Sequence, residues 1–190
     1  MSLLLDRSGL VIGEGAGTLI LERETHARER GAKIYAKLSG IGMSSDAHNA
    51  VQPLSEGAEQ AMQAALDDAK LTSSDIDYIN AHGSGTLQND KTESQAINTV
   101  FSEAISGPFV SSTKSIHGHM LGAGAVVEVI ASIFAIQNQT VPPTTNVTQL
   151  DPLCSINLVA NKPLPTEIKR ILSNSFAFGG LNVSLIFEAI

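Results

Sequence analysis

Apolar and polar residues follow two different periods along this chain, and together they predict alternating strands and helices. Residues 32–45 (AKIYAKLSGIGMSS) alternate apolar and polar, which predicts a long strand. Residues 56–69 instead repeat apolar side chains every three or four positions, which predicts a helix with one buried face. The members of that face are Ala58, Met62, Ala65, Leu66 and Ala69.

The same pattern continues to the end of the chain. Strands are predicted at 17–23 (GTLILER), 77–80 (DYIN) and 108–113 (PFVSST), and helices at 25–31 (THARERG), from 90 (DKTESQAINTVF) and at 122–136 (GAGAVVEVIASIFAI). Three strand-like segments follow, CSINLVAN, RILSNSF and LNVSLIFEA. This order predicts a layered α/β domain with a mixed sheet between helices.

Composition narrows the class of protein. The 190 residues are 43% hydrophobic, which fits one globular domain, taken as residues 4–190 because Met1-Ser2-Leu3 resembles an expression scar. The net charge of −7, from 12 basic and 19 acidic residues, argues against nucleic-acid binding. The run 120–136 contains Glu128 and is short for a membrane span, so we expect a buried helix and no membrane partner.

The single cysteine, Cys154, excludes an internal disulfide, and a cytoplasmic setting is expected. Cys154 precedes an apolar strand and has no basic neighbour in the sequence, which favours a buried structural thiol. His117 and His119 form an H-x-H pair that would suit zinc in an extended segment, but no third ligand stands at a recognisable spacing and Lys114 would repel a cation. We therefore expect no metal.

Two kinds of glycine-rich segment remain. GEGAG, residues 13–17, lacks the spacing of a phosphate-binding loop, so tight turns or close packing are expected there.

Three further segments each follow a predicted strand: NAHGSGT (80–86), SSTKSIHGHMLGAG (111–124) and NSFAFGG (174–180). Strand ends on one edge of an α/β sheet converge on a crevice. A histidine beside a glycine turn often only caps a strand. If a lysine and a second histidine lie nearby, a catalytic role for His82 is favoured instead.

These motifs carry a resemblance. RSGLVIGEGAG, AHGSGT with NDKTE, SSTKSIHGHMLGAGA, VPPTTN and SNSFAFGG, in this order, resemble the C-terminal half of the β-ketoacyl-acyl carrier protein synthases of the elongating KAS II type. The resemblance implies one half of a thiolase fold and a decarboxylating Claisen condensation of malonyl-acyl carrier protein with an acyl thioester, without a cofactor. The nucleophilic cysteine of that family lies in the other half, and Cys154 matches a non-catalytic position.

The resemblance also implies roles for individual residues. His82 and His119 would donate N–H bonds to the enolate oxygen. Lys114 would keep His119 neutral by charge repulsion, and Glu93 would pair with Lys114. Ser84 and Thr86 match pantetheine-binding positions, and Phe178, whose backbone N–H would join an oxyanion hole, matches a gate. Phe176 is assigned to the same gate and oxyanion region.

Three residues depart from the family pattern: Gly85 replaces a hydroxyl residue, Ala177 a glycine and Leu181 a threonine. Ala177 is expected to stiffen the gate loop, provided that the loop needs positive φ there. The implied partners are acyl carrier protein and the N-terminal half of the enzyme, with homodimerisation. The rival hypotheses are a noncatalytic chain-length partner of an active ketosynthase and a metal-dependent hydrolase.

Overall fold

The computed structural model describes residues 2–102 and 107–190, which form an α/β domain around a mixed sheet. In chain order its elements are α1 (Glu24–Glu29), β1 (Lys37–Ser45), α2 (Ser55–Ala69), β2 (Tyr78–Asn80), α3 (Leu87–Val100), β3 (Phe109–Ser111), α4 (Lys114–His117), α5 (Gly124–Asn138), β4 (Thr140–Val141), β5 (Leu164–Pro165), β6 (Arg170–Ala177) and β7 (Leu181–Glu188). Two 3₁₀ turns, Ser73–Asp75 and Leu121–Ala123, precede β2 and α5.

Five strands make the main sheet, in the order β1-β7-β6-β2-β3. The pairs β1/β7 and β6/β7 are antiparallel, whereas β2 pairs in parallel with both β3 and β6. The short strands β4 and β5 form a separate antiparallel pair. The predicted mixed sheet is therefore confirmed.

The sheet buries apolar side chains on both faces. Alternation along β6 sends Leu172 toward α2 and α3, while Ile171 lies in a second core with Val129 and Ile136 of α5. Close packing of α2 on β1 requires glycine, because a Cβ at Gly42 would overlap the Ala61 carbonyl. The helices thus lie on opposite faces of the sheet, as the periodicity predicted.

Two predicted strands are wrong. Residues 17–23 carry no strand, since no neighbouring backbone offers them a ladder, and Ile20 and Leu21 are 78% and 70% exposed. Residues 154–161 form only isolated bridges, from Leu158 to Val110 and from Ala160 to Thr144. Both segments have strand-like composition, but a strand also requires a continuous partner.

The first residues pack into the domain. Leu3 is buried, its N–H donates to Asp90 Oδ2 at 2.6 Å, and Ser2 Oγ donates to the carbonyl of Gly83. These contacts hold the start of the chain against the turn that follows β2. The assignment of residues 1–3 to an expression scar stays a prediction about their origin.

Helix α5 is buried along one side only. Glu128, Val129, Ser132 and Ile136 are buried, whereas Phe134 is exposed. Among the described residues, Leu121–Asn138 is the one helical stretch whose length and composition would suffice to cross a membrane, a test that core helices also pass.

Candidate active site

The motif-bearing segments meet at one edge of the sheet. His82 follows β2, Lys114 follows β3, and Phe176 lies near the end of β6. Because β2 pairs in parallel with β3 and β6, the carboxyl ends of these three strands lie side by side. The predicted convergence of two histidines and a lysine is present in the structure.

His82 is held in one tautomer. His82 is only 7% exposed, and its Nδ1 accepts the backbone N–H of Phe176 at 3.3 Å. A ring nitrogen that accepts a hydrogen bond carries no proton, so the proton of the neutral ring lies on Nε2. The ring also contacts that of Phe176, with 5.7 Å between centroids.

His119 is held in the same tautomer by a different contact. Its Nδ1 accepts the backbone N–H of Leu121 at 3.1 Å, which again leaves the proton on Nε2. The two imidazole rings stand edge to face with centroids 5.4 Å apart. The site therefore presents two N–H donors from neighbouring rings.

Both rings are kept neutral by their surroundings. Burial lowers the pKa of His82 well below its usual value, and the positive charge of Lys114 lowers it further. Burial and then the charge of Lys114 also lower the pKa of His119. The charge of Lys114 thus lowers the pKa of both rings, and its Nζ lies 3.4 Å from His82 Nδ1.

The predicted pairing of Lys114 with Glu93 is wrong. Lys114 Nζ lies 2.5 Å from Glu128 Oε1 on α5, and both side chains are buried. Burial raises the pKa of Glu128 to about 7, although the lysine opposes this shift. Sequence reasoning missed Glu128 as a site residue, even though the one charge in an otherwise apolar helix is a readable signal.

Glu93 instead holds the turn that carries His82. Its Oε1 and Oε2 accept the backbone N–H groups of His82 and Gly83, each at 2.8 Å, and Asn174 Nδ2 donates to Oε1 at 3.1 Å. Burial raises the pKa of Glu93, and these hydrogen bonds lower it. Glu93 therefore holds the backbone of the turn that carries His82, whereas Lys114 pairs with Glu128.

The turn after His82 is fixed by its own hydroxyls. Thr86 caps α3, with Oγ1 accepting the N–H of Asn89 at 3.2 Å, and lies 3.0 Å from Ser84 Oγ. Gly85 has φ +83°, a conformation that a glycine adopts without strain. Its departure from the family pattern thus fits the local backbone.

A buried cation that the sequence did not reveal supports this turn. Arg7 Nη1 lies 2.6 Å from Asp151 Oδ2, and Arg7 Nε lies 3.5 Å from Asp90 Oδ2. Asp90 also accepts the N–H of Gly85 at 3.1 Å, so the ion cluster is joined to the turn. Arg7 stands far from these partners in sequence, which explains why no local pattern indicated the cluster.

The β6–β7 hairpin tip carries the predicted gate. Phe178 is 73% exposed, whereas the partly buried Phe176 packs against the core. Positive φ occurs at Gly179 and Gly180 and not at Ala177, which pairs with Leu181 as the last pair of the two strands. This loop conformation does not need glycine at position 177.

Comparison with known proteins agrees with this geometry. Residues 35–148 match the family model described as "Beta-ketoacyl synthase, C-terminal domain". The chain belongs to this family. Nodulation protein E of Rhizobium sp. (strain N33) is 48% identical over 97% of the chain and 46% of its own length. The mitochondrial 3-oxoacyl-[acyl-carrier-protein] synthase of Arabidopsis thaliana is 49% identical over 97% of the chain and 41% of its length.

The fold comparison gives the same result. A solved structure titled as a type II PKS acyl-carrier protein in complex with its ketosynthase bound to the hexaketide superposes with a TM-score of 0.96 at 37% identity. That match covers the whole of this chain and 47% of the solved one. The chain spans about half the length of the relatives it matches, and the predicted thiolase-type half is confirmed.

In this β-ketoacyl synthase domain, GEGAG serves close packing, as predicted. A Cβ at Gly13 would overlap the His117 carbonyl, one at Gly15 would overlap Met120, and one at Gly17 would lie 2.8 Å from Val126. The segment also bonds to the site, because the Gly13 N–H donates to the His119 carbonyl at 3.0 Å. The glycines let this segment lie directly against the loop of the second histidine.

Two remaining candidates have structural explanations in the domain. The H-x-H pair is not extended, since His117 ends α4 and Gly118 intervenes at φ +77°. Over residues 2–102 and 107–190, no group of three or more metal-ligating side chains lies together. Cys154 is buried, and burial raises its pKa, which fits the predicted structural thiol.

Proposed function

We propose that this domain supplies the decarboxylation and condensation half of a 3-oxoacyl-acyl carrier protein synthase of fatty-acid elongation. The observation that carries the proposal is the pair of neutral imidazoles, His82 and His119, both held as Nε2–H donors. Two such donors suit the oxygen of a thioester enolate, which gains negative charge as carbon dioxide leaves malonyl-acyl carrier protein.

The neutral state of the rings is what makes them suitable. An imidazolium would bind the malonyl carboxylate and thereby oppose its loss, whereas a neutral N–H donor favours the enolate oxygen over the ground-state carbonyl. Lys114 contributes by disfavouring a second cation, and Glu128 balances the lysine charge in the interior. In the proposal these two residues set the charge state, and the histidines contact the substrate.

The nucleophile and part of the acyl pocket are proposed to come from the N-terminal half of the same enzyme. A thiolate must attack the acyl thioester first, and the buried Cys154 is a poor candidate because burial raises its pKa. Ser84 and Thr86 are proposed to contact pantetheine, with Phe178 as the gate and Phe176 beside His82. The hydroxyl of Ser84 suits this role better, since Thr86 Oγ1 also caps α3.

Exposed apolar side chains indicate where the other half would pack. Ile20, Leu21 and Phe134 are all more than half exposed. The neighbouring Ile20 and Leu21 present apolar surface of the kind that another chain usually covers. We propose that the N-terminal half covers it and that the complete enzyme is a cytoplasmic homodimer that accepts acyl carrier protein.

The decisive experiment measures malonyl-acyl carrier protein decarboxylation by the complete enzyme. Changing His82 or His119 to Ala should lower kcat by roughly a hundredfold or more each, because each removes one oxyanion donor. His26→Ala, on the exposed helix α1, is the matched control and should leave the rate unchanged. Wild-type rates of decarboxylation in both the His82→Ala and the His119→Ala variant would overturn the proposal and favour a noncatalytic chain-length partner.

A further inference from the structure

His117 has a defined role in the loop between Lys114 and His119. Its Nδ1 lies 2.8 Å from the carbonyl oxygen of Gly118, and its Nε2 lies 3.1 Å from Thr113 Oγ1. A carbonyl oxygen only accepts, so Nδ1 carries the proton and Nε2 accepts the hydroxyl of Thr113. The neutral ring is thus the opposite tautomer from His82 and His119.

The peptide group that this ring contacts belongs to the site. The Gly118 carbonyl and the His119 N–H are two ends of one peptide unit, and that N–H donates to Val11 at 2.7 Å. Hydrogen bonds therefore hold the peptide on both sides. Gly118 has φ +77° and ψ −179°, and a glycine in this region does not fix the peptide plane by its own sterics.

We propose that His117 is a positioning residue that fixes the Gly118–His119 peptide plane, and through it the direction of the His119 Nε2–H. The catalytic consequence rests on the proposed function, whereas the structural claim does not. Without the His117 bond, this peptide unit is held on its N–H side alone by Val11, so its plane and the His119 backbone are less restrained. The donor pair of His82 and His119 would then lose its fixed geometry.

The competing explanations for His117 are metal binding and simple packing. Its two ring nitrogens are already satisfied by Gly118 and Thr113, which leaves neither available without breaking a bond. Packing alone would be served equally well by an apolar side chain of similar size. The hydrogen bond requires a donor at the position of Nδ1, and this difference makes the two explanations separable.

The test is amide hydrogen exchange of this chain in two variants. In His117→Asn the side-chain amide can still donate from near the Nδ1 position, whereas His117→Leu has no donor. Exchange of the His119 amide should become about fivefold faster or more in His117→Leu and stay near wild type in His117→Asn, because a lost hydrogen bond eases local opening. An unchanged His119 amide in His117→Leu, or equal acceleration in both variants, would overturn the proposal.

A second measurement needs no variant at position 117. Long-range proton–nitrogen correlation spectra of the wild-type chain should show His117 protonated at Nδ1 and His82 and His119 at Nε2. His117 found mainly as the Nε2–H tautomer overturns the proposal even if His117→Leu fails to fold. For the exchange experiment, the control is His48→Leu, which places the same apolar side chain at an exposed histidine.

In the complete enzyme, kcat for decarboxylation should fall in His117→Leu with KM little changed and be restored in His117→Asn. Activity loss equal in both variants would contradict the positioning role. A complete enzyme without any decarboxylase activity would remove the proposed function, while the exchange and tautomer results would still decide the claim about the peptide plane.

Discussion

The ammonium group of Lys114 lies 2.5 Å from the carboxylate of Glu128, and both side chains are almost fully enclosed by the domain. The pair joins α4, which follows β3, to the second turn of α5 on one face of the sheet. Each charge is tolerated in the interior because the other is present. The pair therefore links the charge state of the site to the packing of its longest apolar helix.

Breaking this pair should be costly in a pH-dependent way. Lys114→Met leaves Glu128 as a buried carboxylate without a cation, which should lower the free energy of unfolding by about 3–5 kcal/mol at pH 8. The cost should shrink at pH 5.5, since the Glu128 pKa, about 7 with the lysine present, rises further without it and the carboxyl takes up a proton.

Urea unfolding at both pH values checks this prediction. The double variant Lys114→Met with Glu128→Gln is the matched control, because it removes both charges and should recover much of the loss. An equal cost for Lys114→Met at pH 5.5 and pH 8 would show that lost packing, and not an unpaired charge, causes the destabilisation.

The depressed pKa of His82 predicts how stability changes in acid. Burial holds the folded-state pKa of His82 below the ordinary value, so the unfolded chain binds more protons there. The contribution of His82 is fully present above about pH 6.5 and is lost as the pH falls below that value.

Replacing His82 should remove this loss. In His82→Asn the free energy of unfolding should fall less steeply between pH 6.5 and 5, by up to about 1.4 kcal/mol per pH unit compared with wild type. The measurement is urea unfolding across that range, with the exposed His26→Asn as control. Parallel curves for wild type and His82→Asn would mean that His82 titrates normally in the folded state.

Restoring a hydroxyl residue at position 85 should destabilise the domain. Gly85→Ser places a Cβ at φ +83°, which costs about 1–2 kcal/mol for a side-chain-bearing residue. Gly122→Ser is the control, since a Cβ there has no neighbouring atom within 4 Å. Thermal unfolding of both variants tests the claim, and a Gly85→Ser variant as stable as wild type would show that the turn relaxes without strain.

Cys154 should not accept an acyl group. The residue is 2% exposed, and burial raises the pKa of its thiol, so little thiolate is available for attack. Incubation of this chain with acyl-acyl carrier protein, followed by intact mass measurement, should show no adduct. A stoichiometric acyl adduct on Cys154 would make it the nucleophile and contradict the assignment of that role to the other half.

The chain should associate with itself when it is studied without a partner half. Ile20, Leu21 and Phe134 are exposed, and apolar surface of this kind favours contact with another chain. Sedimentation velocity over a range of concentrations should show growing oligomers. Changing Ile20 and Leu21 to Ser should shift the distribution toward monomer, and a wild-type chain that stays monomeric at high concentration would refute the expectation.

Much of the fold followed from local pattern. The spacing of Ala58, Met62 and Leu66 predicted α2, alternation predicted β1, and strand-like composition predicted β6 and β7. Those signals suffice because each element buries apolar side chains against its neighbours. Residues 17–23 misled the prediction, since apolar alternation records a preference for burial and does not specify the neighbour that provides it.

The histidines and the lysine of the site could be predicted from the sequence, whereas Glu128 and the pairing of Lys114 were missed. The strand-end rule brought His82, Lys114 and His119 together, whereas the partner of Lys114 was assigned to Glu93 and is Glu128. The resemblance assigned Glu93 to Lys114, but its carboxylate accepts the backbone N–H groups of His82 and Gly83. Tautomers could not be predicted, because they depend on which backbone amide faces each ring.

The pairing of β1 with β7 also bears on the order of events during synthesis. Strand β1 is synthesised before the other strands described here, yet its ladder partner is β7, the last of them. Such non-local pairing delays completion of the sheet until nearly all of the domain has emerged. Until then the backbone N–H and C=O groups of β1 that later pair with β7 form an open strand edge, which favours pairing with another chain.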